Sequence, residues 1–345
     1  MNRLIRAGYV NDIHLPKMTD EDLSKLTHLN VAFGHVKNDE IVTGHIRHLD
    51  VLTRIRNSHP HLTILLSVGG WSAGGFSEAA STEAGRDRMA ASAVRALEEL
   101  PIHGIDLDWE YPSYGEAGIG YSADDKTTFT LLLRTMREAL DRKGSADGFR
   151  YLLTIAAGAD QYYVDGTEMD QVQQYLDFIQ LMTYDMRGGF QILTGHHSNL
   201  YTSPGDLFRI SADASVRLFE RAGVPRSKIV LGAAFYSRLW QQVPDRDSGL
   251  HQMAGTTGGY GPDYGELVES YIGKNGFVRR WDDAAKAPYL FNGSTFISYD
   301  DEESIACKCD YVREQGLAGI MFWEYSLDPT GRLIDAMARS LPDLR

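Results

Sequence analysis

Eight times along the chain, a short β-branched apolar run gives way to a longer stretch whose apolar residues recur three and four positions apart. Such alternation predicts strand and helix in turn, with the strands parallel and covered on both faces. The strand candidates are 4–10, 29–33, 62–68, Gly104–Asp108, 151–156, Phe178–Met182, 229–235 and 319–322, and most are too apolar for a half-exposed sheet. Between them, Met89, Ala93, Val94, Leu97 and Leu100, or Phe129, Leu132, Leu133, Met136 and Leu140, each trace one face of a helix. Eight such pairs in 345 residues predict an α/β fold, a closed (β/α)8 TIM barrel rather than an open doubly wound sheet.

The rhythm breaks once. After the seventh strand candidate, 240–299 is rich in Gly, Tyr and Asp, and about sixty residues is too long for a βα loop. We read it as a small α+β insertion with short strands at 277–281 and 295–299 and a helix around 264–272, leaving the barrel to 1–239 and 300–345. A loop after a barrel strand opens on the C-terminal face, so the insertion is expected to wall one side of a cleft.

Charge and cysteine usage narrow the partners. The 34 Lys and Arg against 47 Asp and Glu give a net charge of −13, which repels phosphate backbones and anionic lipids, so neither a nucleic-acid nor a membrane partner is expected. Cys307 and Cys309 stand two apart in a predicted helix and cannot pair with each other. No GxSxG occurs, a GxGxxG beginning at Gly118 fails at Ala123, Gly273-Lys274 lacks the upstream glycine of a P-loop, and His196-His197 reads as a polar loop. No cofactor or metal is therefore expected, and the chain is expected to be monomeric. The opening residues carry no secretory leader, which predicts a cytoplasmic chain, or a secreted one were a leader to precede it.

The densest chemistry lies in Gly104-Ile105-Asp106-Leu107-Asp108-Trp109-Glu110-Tyr111-Pro112. On an extended strand, Asp106, Asp108 and Glu110 share one face. With 47 acids in 345 residues, about one such triplet arises per chain by chance, so the spacing alone says nothing. The setting does: an unpaired carboxylate inside a parallel sheet costs several kcal/mol. Stacked carboxylates also repel, so at least one should keep its proton near neutral pH, as a general acid must. The competing reading, helix caps or partners of buried Arg or Lys, finds no basic residue on this strand. Met182-Thr183-Tyr184-Asp185 closes the sixth strand and Met321-Phe322-Trp323-Glu324 the eighth. Tyr9, Phe33, Trp71, Tyr111, Tyr184, Tyr236 and Trp323 fall at the same predicted rim, where ring faces beside carboxylates suit a sugar.

Ser67-Val68-Gly69-Gly70-Trp71, the segment from Gly104 to Pro112, Met182 to Asp185, and Phe322-Trp323-Glu324-Tyr325 together resemble, in order, the motifs of glycoside hydrolase family 18 chitinases. The resemblance implies the eight-stranded barrel, the α+β insertion, and cleavage of β-1,4 bonds between N-acetylglucosamine units of chitin or its oligomers. It also implies a retaining, substrate-assisted reaction in which the acetamido group of the sugar is the nucleophile. Glu110 would protonate the leaving oxygen, Asp108 orient the acetamido N–H, Asp106 share its proton and charge, Tyr184 hydrogen-bond the acetamido oxygen, and Asp185 contact the distorted sugar. Trp323 would floor the subsite, with Met182, Tyr236 and Arg238 as wall contacts. Two positions depart from the family pattern. His103 replaces its first aspartate, which bears on pH dependence, and Gln180 stands where Asn is frequent.

Two further readings share the fold. An endo-β-N-acetylglucosaminidase acting on N-glycans or a peptidoglycan-like polymer fits less well, because a walled cleft suits a linear chain. A non-catalytic chitin-binding lectin would typically lack the acid, and Glu110 is present.

Overall fold

The first strand, Ile5–Asn11, pairs in parallel with both the second, His28–Lys37, and the last, Gly319–Trp323, so the barrel closes on itself. In this computed structural model, which describes residues 4–342, the intervening strands are Thr63–Gly69, Gly104–Asp108, Leu152–Gly158, Phe178–Met182 and Ile229–Ala234, all parallel to their neighbours. The expected (β/α)8 architecture is therefore observed. Helices Glu83–Glu99 and Asp125–Asp147 cover the outside, and Phe129, Leu132, Leu133, Met136 and Leu140 are all buried on it. Each such side chain contributes about 1.5–3 kcal/mol relative to exposure. Cys307 and Cys309 lie unpaired on the helix Glu302–Gln315. No helix among the described residues is long and apolar enough to cross a membrane.

The second strand runs past the expected 29–33 because alternation continues: Gly34 and Val36 are buried, His35 and Lys37 exposed. It then turns at Asn38-Asp39, both at positive φ, and pairs antiparallel with Glu40–Val42. Two left-handed residues between strands are the preferred tight hairpin connection, and Asn and Asp tolerate that conformation best after glycine.

After the seventh strand the chain enters a five-stranded antiparallel sheet in the order Gly259–Asp263, Tyr236–Gln241, Thr295–Ser298, Ala287–Phe291, Val278–Asp282. This sheet starts at Tyr236, ahead of residue 240, because Tyr236 follows the strand Ile229–Ala234 after Phe235 alone, with no Gly or Pro to mark the break between the two sheets. Trp240, Val243, Tyr289, Phe291 and Phe296 give it a small core of its own. The expected helix near 264–272 is one turn, Tyr264–Glu266, followed by a wider π turn over Leu267–Tyr271.

Where the chain leaves the sheet for the helix Glu302–Gln315, a buried ion pair holds the junction. Lys308 Nζ donates to Asp300 Oδ2 at 2.6 Å and to Ser198 Oγ at 2.7 Å, and both charged side chains are fully buried. Burial alone would raise the Asp300 carboxyl, but Lys308, Ser304 and Ser198 hold it below the usual range. Removing one member strands the other charge. Lys308→Met is therefore expected to cost about 3–5 kcal/mol, measurable by chemical denaturation.

Candidate active site

Inside the barrel, Ala7, Leu65, Phe178, Val230 and Met321 form an apolar layer. Polar side chains sit above it. Asp106 Oδ2 accepts hydrogen bonds from Tyr9 Oη at 2.9 Å and Ser67 Oγ at 2.8 Å, and Oδ1 accepts from Thr154 Oγ1 at 2.6 Å and Gln180 Nε2 at 3.0 Å. Gln180 also donates to Tyr9 and accepts from Asn30. Ser67, Asp106 and Thr154 are register partners on three adjacent strands, which places them at one height. Burial raises the pKa of Asp106, and these four donors oppose the rise.

Asp108 and Glu110 continue the same face towards the mouth, while Ile105, Leu107 and Trp109 point outwards into the helices. Trp109 stacks on Phe76 at 5.4 Å and meets Phe129 edge-on at 5.5 Å, which anchors the strand end. Asp108 is buried, with no hydrogen-bond partner for Oδ1. Burial first, then the charges of Glu110 and Asp106, push its pKa well above the ordinary aspartate value. Burial likewise lifts Glu110 to about 7, with Asp185 adding to the rise and hydrogen bonding with Tyr111 opposing it.

Gly69 and Gly70 at the end of the third strand explain their own motif. Both have positive φ, and a Cβ on Gly69 would lie 2.1 Å from the Asp108 carbonyl oxygen, so only glycine admits the fourth strand here. The Gly70 N–H then donates to that same oxygen at 2.9 Å.

Asp185 occupies the left-handed region at φ 56°, which costs a non-glycine residue about 1–2 kcal/mol. Its Oδ1 accepts from Arg238 Nε at 2.7 Å. Burial would raise its pKa, but the neighbouring His197 and the Arg238 guanidinium outweigh burial and hold the carboxyl at about 2. Asp185 is thus a fixed anion beside Glu110, whose proton is held more tightly than an ordinary glutamate's. The Tyr184 hydroxyl reaches only Met321 Sδ, at 4.0 Å, among the described residues, which leaves it free for a ligand.

The aromatics sort into two depths. Trp71 is 52% exposed, and Phe33 stacks on Trp323 at 5.4 Å with 20° between the planes. Phe33, Tyr111, Met182, Tyr184 and Trp323 are half-buried. Tyr9, expected at the rim, lies below it at 2% exposure, bonded to Asp106 and packed against Trp323 at 5.7 Å. Tyr236 and Arg238 are also buried. Glu324 is not at the mouth: it is buried, accepts from Ser326 and sits 3.6 Å from His14. His103 is absent from the shell of Asp106. Its Nδ1 accepts the Ile64 N–H at 2.9 Å, and burial lowers its pKa to about 4, so the expected influence on pH dependence is not supported by contact. Sequence reading missed Tyr260, which is 74% exposed and carries the Arg238 guanidinium over its ring at 3.9 Å. The two are cross-strand partners, a relation invisible until the sheet is paired.

A sequence profile described as glycosyl hydrolases family 18 matches residues 5–328. The chain belongs to glycoside hydrolase family 18. Among its family relatives, chitinase A1 of Niallia circulans is 39% identical over 323 residues, covering 88% of this chain and 46% of that protein. Chitotriosidase-1 of Mus musculus is 34% identical over 324 residues, covering 90% of this chain and 68% of that protein. The chain thus spans less than half of the first of these relatives. A solved family 18 N-acetylglucosaminidase from Paenibacillus barengoltzii is 68% identical, covers 98% of this chain and all of its own, and superposes with a TM-score of 0.97.

Proposed function

We propose that this family 18 protein hydrolyses β-1,4 bonds between N-acetylglucosamine units of chitin or chito-oligosaccharides, with retention of configuration. The observation that carries the reading is that one proton-bearing acid stands at the mouth, with no ionised carboxylate free to attack opposite it. Asp106 is enclosed by four donors, burial pushes the Asp108 pKa well above the ordinary aspartate value, and Asp185 is tied to Arg238. A paired-carboxylate mechanism lacks its second member, so the nucleophile is supplied by the substrate.

In this reading Glu110 donates its proton to the glycosidic oxygen as the acetamido carbonyl oxygen bonds to C1 and the C1–O bond breaks. Water then attacks C1, reopens the oxazolinium ring, and returns a proton to Glu110. Asp108 orients the acetamido N–H and Asp106 supports Asp108 from below. Tyr184 binds the acetamido oxygen, Asp185 contacts the distorted sugar, and Trp323, Phe33 and Trp71 offer ring faces to sugar units. Every group named comes from one chain, which favours a monomer as the working unit.

A second reading concerns where the chain is cut. The 68% identity to a protein described as an N-acetylglucosaminidase favours release of single N-acetylglucosamine units over internal cleavage. Time-resolved product analysis on N-acetylglucosamine oligomers of defined length, beside a high-mannose glycopeptide, tests both. Monosaccharide from the first time points supports release from chain ends, mixed oligomers support internal cleavage, and exclusive cleavage of the glycopeptide removes the proposal.

Because Glu110 must be protonated and its pKa lies at about 7, kcat/KM is expected to fall as pH rises through about 7. A pH–rate profile flat from 6 to 9 would contradict the acid role.

A further inference from the structure

His197 lies on the loop after the sixth strand and is fully buried. The Asp185 backbone N–H approaches its Nδ1 at 3.4 Å, whereas the nearer Asp185 carboxylate oxygen stands 3.7 Å away, beyond hydrogen-bond reach. A backbone N–H can be met only by an unprotonated ring nitrogen, so the proton of the neutral ring sits on Nε2. Burial lowers the pKa of the ring below the ordinary histidine value. Asp185 opposes that shift, Arg238 adds to it, and Asp300 opposes it. Nε2 is buried without a protein partner, so the Asp185 N–H is the contact that orients the ring.

The loop is held by the inserted sheet. The His197 N–H donates to Ser298 Oγ at 2.9 Å, and the Met186 N–H donates back to the His197 carbonyl at 3.1 Å. Ser298 is the cross-strand partner of Arg238, which donates to the Asp185 carboxylate. Two neighbouring residues of one sheet therefore grip Asp185 at both ends, Arg238 directly at the side chain and Ser298 through His197 at the backbone.

We infer that His197 is a positioning residue for the reaction, whose Nδ1 accepts the Asp185 N–H and keeps that residue in the left-handed conformation that presents its carboxylate to the cleft. The inference rests on the glycosidase reading above and adds to it a route by which the inserted sheet sets the geometry of the site.

The test compares His197→Asn with His197→Leu in steady-state kinetics on an N-acetylglucosamine oligomer of defined length. The Asn side-chain oxygen occupies the place of Nδ1 and accepts the same N–H, whereas Leu fills similar space without an acceptor. His197→Asn is expected to keep kcat/KM within about fivefold of the parent, and His197→Leu to lose about tenfold or more, with kcat carrying the loss. A Leu variant that loses less, or an Asn variant impaired beyond fivefold, overturns the inference. If the Leu variant does not fold, the Asn result alone decides by the same threshold. An inactive parent protein would instead sink the glycosidase reading, so the two failures are distinct.

Discussion

Glu110→Gln is expected to lower kcat by about 10²–10⁴-fold, the usual contribution of a positioned general acid. Binding of N-acetylglucosamine oligomers should survive, because Gln preserves the shape of the side chain and removes only the proton. Single-turnover kinetics together with isothermal titration would show both halves of the result. The same variant carries a stability signature of definite sign. Folded Glu110 binds its proton more tightly than the unfolded chain does, since its pKa is raised from 4.5 to about 7. Parent stability from this group is therefore full below about 4.5 and is lost as pH rises towards 7. Relative to the parent, Glu110→Gln should gain melting temperature across that window and hold the gain above it. A variant with near-parent turnover would remove Glu110 from the acid role.

Oligomers stripped of their N-acetyl groups are expected to be cleaved at least about 10³-fold more slowly than acetylated ones of equal length. An internal nucleophile reaches effective molarities of about 10⁵–10⁸ M, and no carboxylate of the site is placed to replace it. The products from acetylated substrate should emerge as the β-anomer, read by NMR within seconds of cleavage. Equal rates on both substrates, or initial α-anomer, would require a protein nucleophile or a direct water attack. Either outcome would contradict the substrate-assisted reading.

Much of this site could be read before any fold was known. Asp106, Asp108 and Glu110 fall on one face because strand periodicity is strictly two, and Gly104–Asp108 and Phe178–Met182 are observed with the limits expected for them. Other features escaped. Tyr9 and Tyr236, expected at the rim, are buried, because height within a barrel follows from register between strands, which a single segment does not encode. The donors around Asp106 come from the first, third, fifth and sixth strands, so no window of sequence contains them.

Local pattern thus determined the number and order of the barrel strands, the face each acid occupies and the glycines that let two strands approach, because these depend on backbone period and steric limits within a few residues. Tertiary structure alone decided the protonation of Glu110, the capture of Asp185 by Arg238 and His197, and the depth of each aromatic ring. Those properties are set by desolvation and by partners brought together from distant segments, and neither exists until the barrel closes.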